Sequence, residues 1–245
     1  MTELLQRILP TVQKPARYTG GEFNEIQKDP ASVRVNVAFC FPDTYEIGMS
    51  NVGMRILYGV MNEMEGVWCQ RVFAPWSDMQ QAMEQHNLPL WALESQKSVK
   101  DFDMIAFTIG YEMSYTNILN MLRLSGVSLH SKERQGLKNI VFAGGVCAYN
   151  PEPLADYIDF FSLGEGEEST VEIVSLYDKA KAEGWSKDQF LLEVSKIPGV
   201  YVPSFYRHEY GEDGSLCAIV PVNGAPEKVT KRIVEDLAVP TGPPR

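Results

Sequence analysis

The amino-acid sequence predicts an α/β fold: a doubly wound, flavodoxin- or Rossmann-like, mostly parallel sheet with a small C-terminal β-hairpin appendage. Two patterns carry the main prediction. From residue 33 onward, short β-branched or wholly apolar runs alternate with segments of helical apolar periodicity, as in parallel strands joined by crossover helices. Several of these runs also end in loops rich in glycine, acid and hydroxyl groups, the side on which open α/β sheets bind ligands. The hairpin rests on a third observation, an Asp213-Gly214 pair between two late extended runs.

The elements follow in order. Leu4, Leu5, Ile8 and Leu9 share one side of a short helix ended by Pro10, and a polar, turn-rich stretch runs from Lys14 to Pro30. Residues 1–30 therefore read as a lead-in outside the core. Val33 to Phe39 is the first buried strand, and Val52, Ile56, Leu57, Val60 and Met64 mark a helix face stopped by Gly66. Val67 to Phe73 is a second strand. Ser77 to Gln80 has a capping-box pattern that opens a helix ending near Asn87, and Leu90 to Leu93 reads as a short strand. Met104 to Ile109 is a buried strand, backed by a helix through Ile118, Met121, Leu122 and Ser125 with Gly126 as its stop. Asn139 to Ala143 and Ile158 to Leu163 complete the strands, and a helix through Val171, Val174, Tyr177 and Ala180 closes at Gly184. Ser186 to Gln189 is a second capping box before a helix that must end ahead of Pro198. Tyr201 to Tyr210 and Leu216 to Val222 flank the hairpin turn. The expected organisation is a lead-in over 1–30, an α/β domain over 31–185, a helix plus hairpin over 186–238 and a linker or truncated terminus over 239–245.

Composition narrows the function classes. The 245 residues are 44% hydrophobic and 11% aromatic, enough for one sizeable core and too apolar for a disordered tail. The 32 acidic against 22 basic residues give a net charge of -10 without a polybasic stripe. Nucleic-acid backbones are bound by clustered Lys and Arg, so direct nucleic-acid binding is not expected. Apolar runs fall well short of the ~20 residues of a membrane span and Met1-Thr2-Glu3 opens no secretory signal, so the expected location is cytoplasmic, away from membranes. Cys40, Cys69, Cys147 and Cys217 are scattered, with no local cluster for zinc or iron–sulfur, and read as small buried hydrophobes.

Candidate site residues gather on the loops leaving the strands. The first loop carries Asp43, Tyr45, Glu46, Gly48 and Ser50; the third carries Tyr111, Glu112 and Ser114 after Thr108; the fourth carries Gly144 and Gly145; the fifth carries Gly164, Glu165, Gly166 and Glu167. Glycines there bring backbone N–H groups close to a nucleotide-like or tetrapyrrole-like ligand, although tight strand-to-helix turns need glycine without any ligand. Asp43, Glu46, Glu112, Glu165 and Glu167 form a candidate carboxylate cluster, but acids near helix starts are favoured by the helix dipole alone. His86, His130 and His208 fall on a helix, a loop and a hairpin strand, which disfavours a three-histidine site, and no G-x-S-x-G elbow occurs. Neither catalytic nor metal-ligating residues are assigned.

Taken together, the loop sequences resemble the N-terminal domain of a family of radical S-adenosylmethionine (SAM) proteins with a cobalamin-binding-like domain. The resemblance rests on Pro42 to Ser50, Val72 to Trp76, Tyr111 to Asn117, Ala143-Gly144-Gly145, Asn150 to Asp156 and Gly164 to Glu167, and it runs from about Lys14 to Leu237. It implies that residues 31–185 form the cobalamin-binding-like domain, with cobalamin as the implied cofactor. Cobalamin domains of the type that ligates cobalt by histidine carry Asp-x-His-x-x-Gly; here Asp43-Thr44-Tyr45-Glu46-Ile47-Gly48 keeps the aspartate and glycine and places Tyr45 at the histidine. A neutral phenol is a poor substitute for imidazole, so cobalt ligation by Tyr45 is not expected. The later Ser-x-Leu element is only approximated by Thr108-Ile109-Gly110, whereas Gly144-Gly145 matches the double glycine. The resemblance further implies a downstream radical SAM barrel as partner, holding a [4Fe–4S] cluster and S-adenosylmethionine at a C-x-x-x-C-x-x-C loop that these 245 residues do not contain. The expected role is to bind a corrinoid or cap that barrel, without catalysis by this chain alone and on an unknown substrate. A non-catalytic interaction domain with a degenerate cleft is the alternative, and a free-standing flavin or nucleotide binder is a third reading.

Overall fold

A computed structural model describes residues 2–235. Helix α1 (Thr2–Ile8) opens the chain. Strand β1 (Val35–Phe41) leads through α2 (Tyr45–Ser50) and α3 (Val52–Glu63) to β2 (Val67–Phe73), and α4 (Ser77–His86) leads on to β3 (Met104–Thr108). Helix α5 (Tyr115–Ser125) precedes β4 (Ile140–Gly144), and two short 3-10 turns carry the chain to β5 (Phe160–Ser162). Helices α6 (Gly166–Glu183) and α7 (Lys187–Val194) then precede β6 (Val200–Tyr201), and β7 (Tyr206–Tyr210) and β8 (Leu216–Pro221) pair as a separate hairpin.

The large sheet has the order β2-β1-β3-β4-β5-β6. Its first five strands are parallel, and β6 joins antiparallel through Phe161 opposite Tyr201. This is the doubly wound α/β class that the sequence predicts, in the flavodoxin-like strand order. Alternation along each strand divides the core in two. Ala38, Cys40, Ile105, Phe107, Val141 and Phe161 point to one face, which α1, α4 and α5 cover. Val37, Phe39, Met104, Ala106, Phe142 and Phe160 point to the other, which α3, α6 and α7 cover. The helix side therefore switches between the connection after β1 and the one after β3, and that reversal leaves a crevice at the carboxyl ends of the strands.

Local differences from the sequence reading have physical causes. The lead-in belongs to the core: Leu5, Ile8, Val12 and Tyr18 are buried against the first face. A 7-residue helix is marginal alone, but burying a Leu or Ile side chain stabilises it by about 1.5–3 kcal/mol, which decides in favour of docking. Ser77 is not a cap, since Trp76 precedes α4 without a side-chain cap bond; Ser186 does accept the N–H of Gln189. Leu90–Leu93 is buried but forms only an isolated bridge, Trp91 to Ser98. Tyr201, expected at the start of the hairpin arm, belongs instead to β6, which pairs antiparallel with β5.

The opposite edge strand, β2, is buried along its whole length. Its outward backbone groups pair with side chains and loop backbone in place of another strand. Asn62 bonds both the N–H and the C=O of Cys69 at 3.0 Å. Glu94 accepts the N–H of Arg71 at 2.7 Å, the Leu93 N–H donates to the Arg71 C=O at 2.9 Å, and the Lys28 ammonium donates to the Val67 C=O at 2.5 Å. Desolvation raises the pKa of Glu94, but its ion pair with Arg71 at 2.6 Å opposes that shift.

A second buried charge centre fixes the amino end of β5. The fully buried Asp159 carboxylate pairs with Arg134 at 3.1 Å and Lys187 at 2.6 Å and accepts bonds from the Ser131 hydroxyl and the Val141 N–H. Replacing Asp159 leaves the Arg134 guanidinium buried without its counter-charge. Asp159→Ala is expected to lower unfolding stability by about 3–5 kcal/mol, as measured by urea denaturation with an unchanged slope.

Candidate functional site

At the carboxyl ends of β1, β3, β4 and β5, a cavity of about 230 Å³ opens between α3 and α6. Phe39, Leu57, Met61, Ala106 and Phe142 make its apolar walls, while Thr108, Ser162 and Thr170 contribute hydroxyls. Among the described residues no basic side chain lines it, and Glu165 and Glu167 do. That charge pattern disfavours a phosphate-bearing ligand, including the flavin or nucleotide of the third reading.

Of the candidate residues, Thr108, Gly144, Gly145, Gly164, Glu165, Gly166 and Glu167 line this cavity. Their glycines serve different ends. Gly145 has φ +99°, and a Cβ there would lie 2.7 Å from the Ile109 carbonyl oxygen; the strand-to-turn crossing itself requires glycine. Gly164 has φ +104°, and its Cβ would lie 2.1 Å from the Arg232 carbonyl oxygen. At Gly166 it would press on Leu57 at 3.1 Å. Gly144 differs, because its Cβ would meet nothing nearer than the Ser162 carbonyl at 3.4 Å, so its openness is available to the cavity.

The remaining candidates lie outside the cavity and tie the rim together. The Tyr111 hydroxyl donates to Asp43 at 2.7 Å, linking the loops after β3 and β1, and its pKa is raised by that bond and by partial burial. Ser114 donates to the Tyr111 carbonyl at 2.7 Å. The Cys147 thiol stands beside Glu112, and partial desolvation followed by that carboxylate raises its pKa. Glu46 is paired with Lys14 at 3.0 Å and Arg17 at 2.9 Å; slight desolvation acts to raise its pKa, but these partners hold it at about 2. Gly48 is dictated by packing, since a Cβ would sit 2.2 Å from the Phe73 ring, and Ser50 only caps back to Ile47. The acids do not converge: among the described residues no group of three or more His, Cys, Asp or Glu side chains is placed to hold a metal ion.

Tyr45 is turned away from the cavity. Its ring packs edge-on against Phe73 with centroids 5.5 Å apart, and its hydroxyl donates to Glu22 at 3.0 Å. Burial, then the Glu22 carboxylate, raises its pKa and keeps it a neutral phenol. The donor set therefore does not supply a cobalt ligand at this position. The cavity beside Gly144 is walled mainly by apolar side chains.

Large apolar side chains crowd the same rim. Ile47 and Val52 follow β1, Trp76 follows β2, Tyr111 and Met113 follow β3, and Val146 and Tyr149 follow β4, all exposed. Met113 is 84% and Val146 71% exposed, well beyond what a solvated turn requires. The loops presenting them are held by the Asn117 amide on the Pro42 carbonyl at 2.9 Å and by the Tyr115 hydroxyl on the carbonyls of Cys147 and Asn150.

Residues 53–203 match the family described as radical SAM proteins, N-terminal. The chain belongs to that family. The match runs from α3 to β6 and leaves out β1, so it takes in every residue of the cavity lining except Phe39. A relative in Methanocaldococcus jannaschii, itself an uncharacterised protein, is 26% identical over 169 residues, covering 68% of this chain and 31% of the relative. The chain thus matches about a third of that relative's length. Among the described residues of this radical SAM N-terminal domain, no helix is long and apolar enough to cross a membrane.

Sequence reasoning did not find the apolar walls on α3, because Leu57 reads as an ordinary helix-face residue and Met61 falls outside the face that the periodicity marks. It also missed Arg232, whose backbone explains Gly164. The glycines provide a direct test of structural against ligand-related roles. Gly145→Ala is expected to cost about 1–3 kcal/mol of stability through its backbone conformation and the Ile109 collision, whereas Gly144→Ala changes stability by less than about 1 kcal/mol while narrowing the cavity; thermal unfolding of the two variants checks both.

Proposed function

We propose that this domain caps a radical SAM barrel, seating its apolar rim on the barrel mouth so that the cavity faces the reaction chamber. The observation that carries the reading is the set of exposed apolar side chains on the loops after β1 to β4, in a chain belonging to the radical SAM N-terminal family. Such a cap excludes water and helps orient substrate, while the iron–sulfur cluster and S-adenosylmethionine of the partner domain supply the radical chemistry. This chain's residues bind and shape; none is assigned a bond-breaking step.

The test compares hydrogen exchange in the 245-residue chain with exchange in the protein extended through its radical SAM domain. Peptides covering residues 111–115 and 145–149 are expected to exchange at least about tenfold more slowly in the longer protein, equivalent to about 1.4 kcal/mol of added protection. Equal exchange in both would overturn the capping role and favour a rim that docks another partner.

A second reading, favoured by the cavity beside Gly144, is that the rim also holds a corrinoid with an uncharged part in the cavity. Tyr45 contributes no ligand in this reading, because its phenol is engaged by Glu22. Hydroxocobalamin is expected to co-elute with the chain in gel filtration at micromolar concentration, with a spectrum unchanged by Tyr45→Phe and with Gly144→Val reducing the bound fraction. No co-elution would eliminate the corrinoid and leave the capping role standing.

A further inference from the structure

Beyond the hairpin the chain returns to the cavity. Between Leu163 and Glu165 the backbone of Arg232 forms a parallel bridge with Gly164: the Arg232 N–H donates to the Leu163 carbonyl at 2.8 Å, and the Glu165 N–H donates to the Arg232 carbonyl at 3.2 Å. Two glycines clear its path. A Cβ on Gly164 would strike the Arg232 carbonyl, and one on Gly199 would lie 3.0 Å from the Arg232 nitrogen. The Arg232 guanidinium then bridges to α6 through Glu168 at 2.5 Å and Glu172 at 2.9 Å, and the Val234 N–H is accepted by the Glu165 carboxylate. Gly164 and Glu165 are also wall residues of the cavity. One turn therefore serves two segments, the cavity on one side and this strap on the other.

Among the described residues, the Gly164 bridge, the Val234–Glu165 bond, the packing of Val229 on the first core face and partly exposed ion pairs hold the strap, and salt screens pairs of that kind. We propose that residues 229–235 are a detachable latch: docked, they fix the Leu163–Gly166 turn that forms one wall of the cavity; released, they free that turn and widen the cavity on the side of α6. The inference needs the cavity but not the capping role, so the failure of either leaves the other intact.

The test uses the 245-residue chain and two readouts. Hydrogen exchange follows the peptide covering residues 163–167. Access to the cavity is followed by maleimide labelling of Ser162→Cys, with Cys147 and Cys217 replaced by serine. Arg232→Ala, and separately salt at about 1 M, where the screening length falls to about 3 Å, are expected to raise both rates at least about tenfold while peptides of β1 and β3 stay protected. Gly164→Ala, which places a methyl group in the strap's path, is expected to do the same. If β1 and β3 stay protected and Arg232→Ala leaves either rate unchanged, the latch is overturned. If Gly164→Ala exposes β1 and β3 as well, Arg232→Ala and the salt series decide the outcome alone.

Discussion

The close approach of one backbone to another at the carboxyl end of the sheet governs most of this structure. At Gly145 the chain leaving β4 passes so near Ile109 that a side-chain carbon has no room, and at Gly164 the chain leaving β5 passes equally near Arg232. Both glycines adopt left-handed conformations that other residues reach only with strain. Because the Gly145 crossing is tight, the loop above it is held close to β3. The Cys147 N–H donates to the Ile109 carbonyl at 3.1 Å, and the Tyr111–Asp43 bond joins the next pair of loops. A rim built this way presents its apolar residues from a fixed platform, which reduces the ordering cost that a partner would otherwise meet on docking.

Much of the architecture was legible because period and composition agreed. Val67 to Phe73 and the helix stops at Gly126 and Gly184 fall where the sequence puts them, since β-branched runs and left-handed glycine caps are local signals. The burial of the lead-in was not legible. Leu5 and Ile8 look like one side of a short surface helix, and only the shape of the first core face decides that this side is buried. Ser77 misled for the opposite reason, because a cap pattern states what a helix start can use and not where the start falls. The candidate site was legible as a set of loops but not as a cavity. Asp43, Tyr45 and Glu46 are near in sequence to the lining residues, yet their partners Tyr111, Glu22 and Lys14 lie 68, 23 and 32 positions away, and no local pattern encodes those pairings.

Charge is distributed with the same economy. The buried carboxylates that bear most on the fold, Glu94 and Asp159, lie away from the cavity and each faces a guanidinium. Removing one partner of such a pair is costly, so these residues confer specificity on the fold more than surplus stability. The cavity itself has hydroxyls, apolar walls and the acids Glu165 and Glu167 in its lining.

The edge strand β2 carries a further meaning. A parallel sheet ordinarily ends in a row of open N–H and C=O groups that invite another chain to add itself, which is the usual route to edge-to-edge aggregation. Asn62, Glu94, Leu93 and Lys28 occupy those positions here, acting as a false neighbour assembled from a helix, a loop and the lead-in. Its effect is to withdraw the backbone of that edge from intermolecular recognition. A partner docking as proposed on the rim would therefore be recognised by side-chain shape, which is far more discriminating than a backbone ladder.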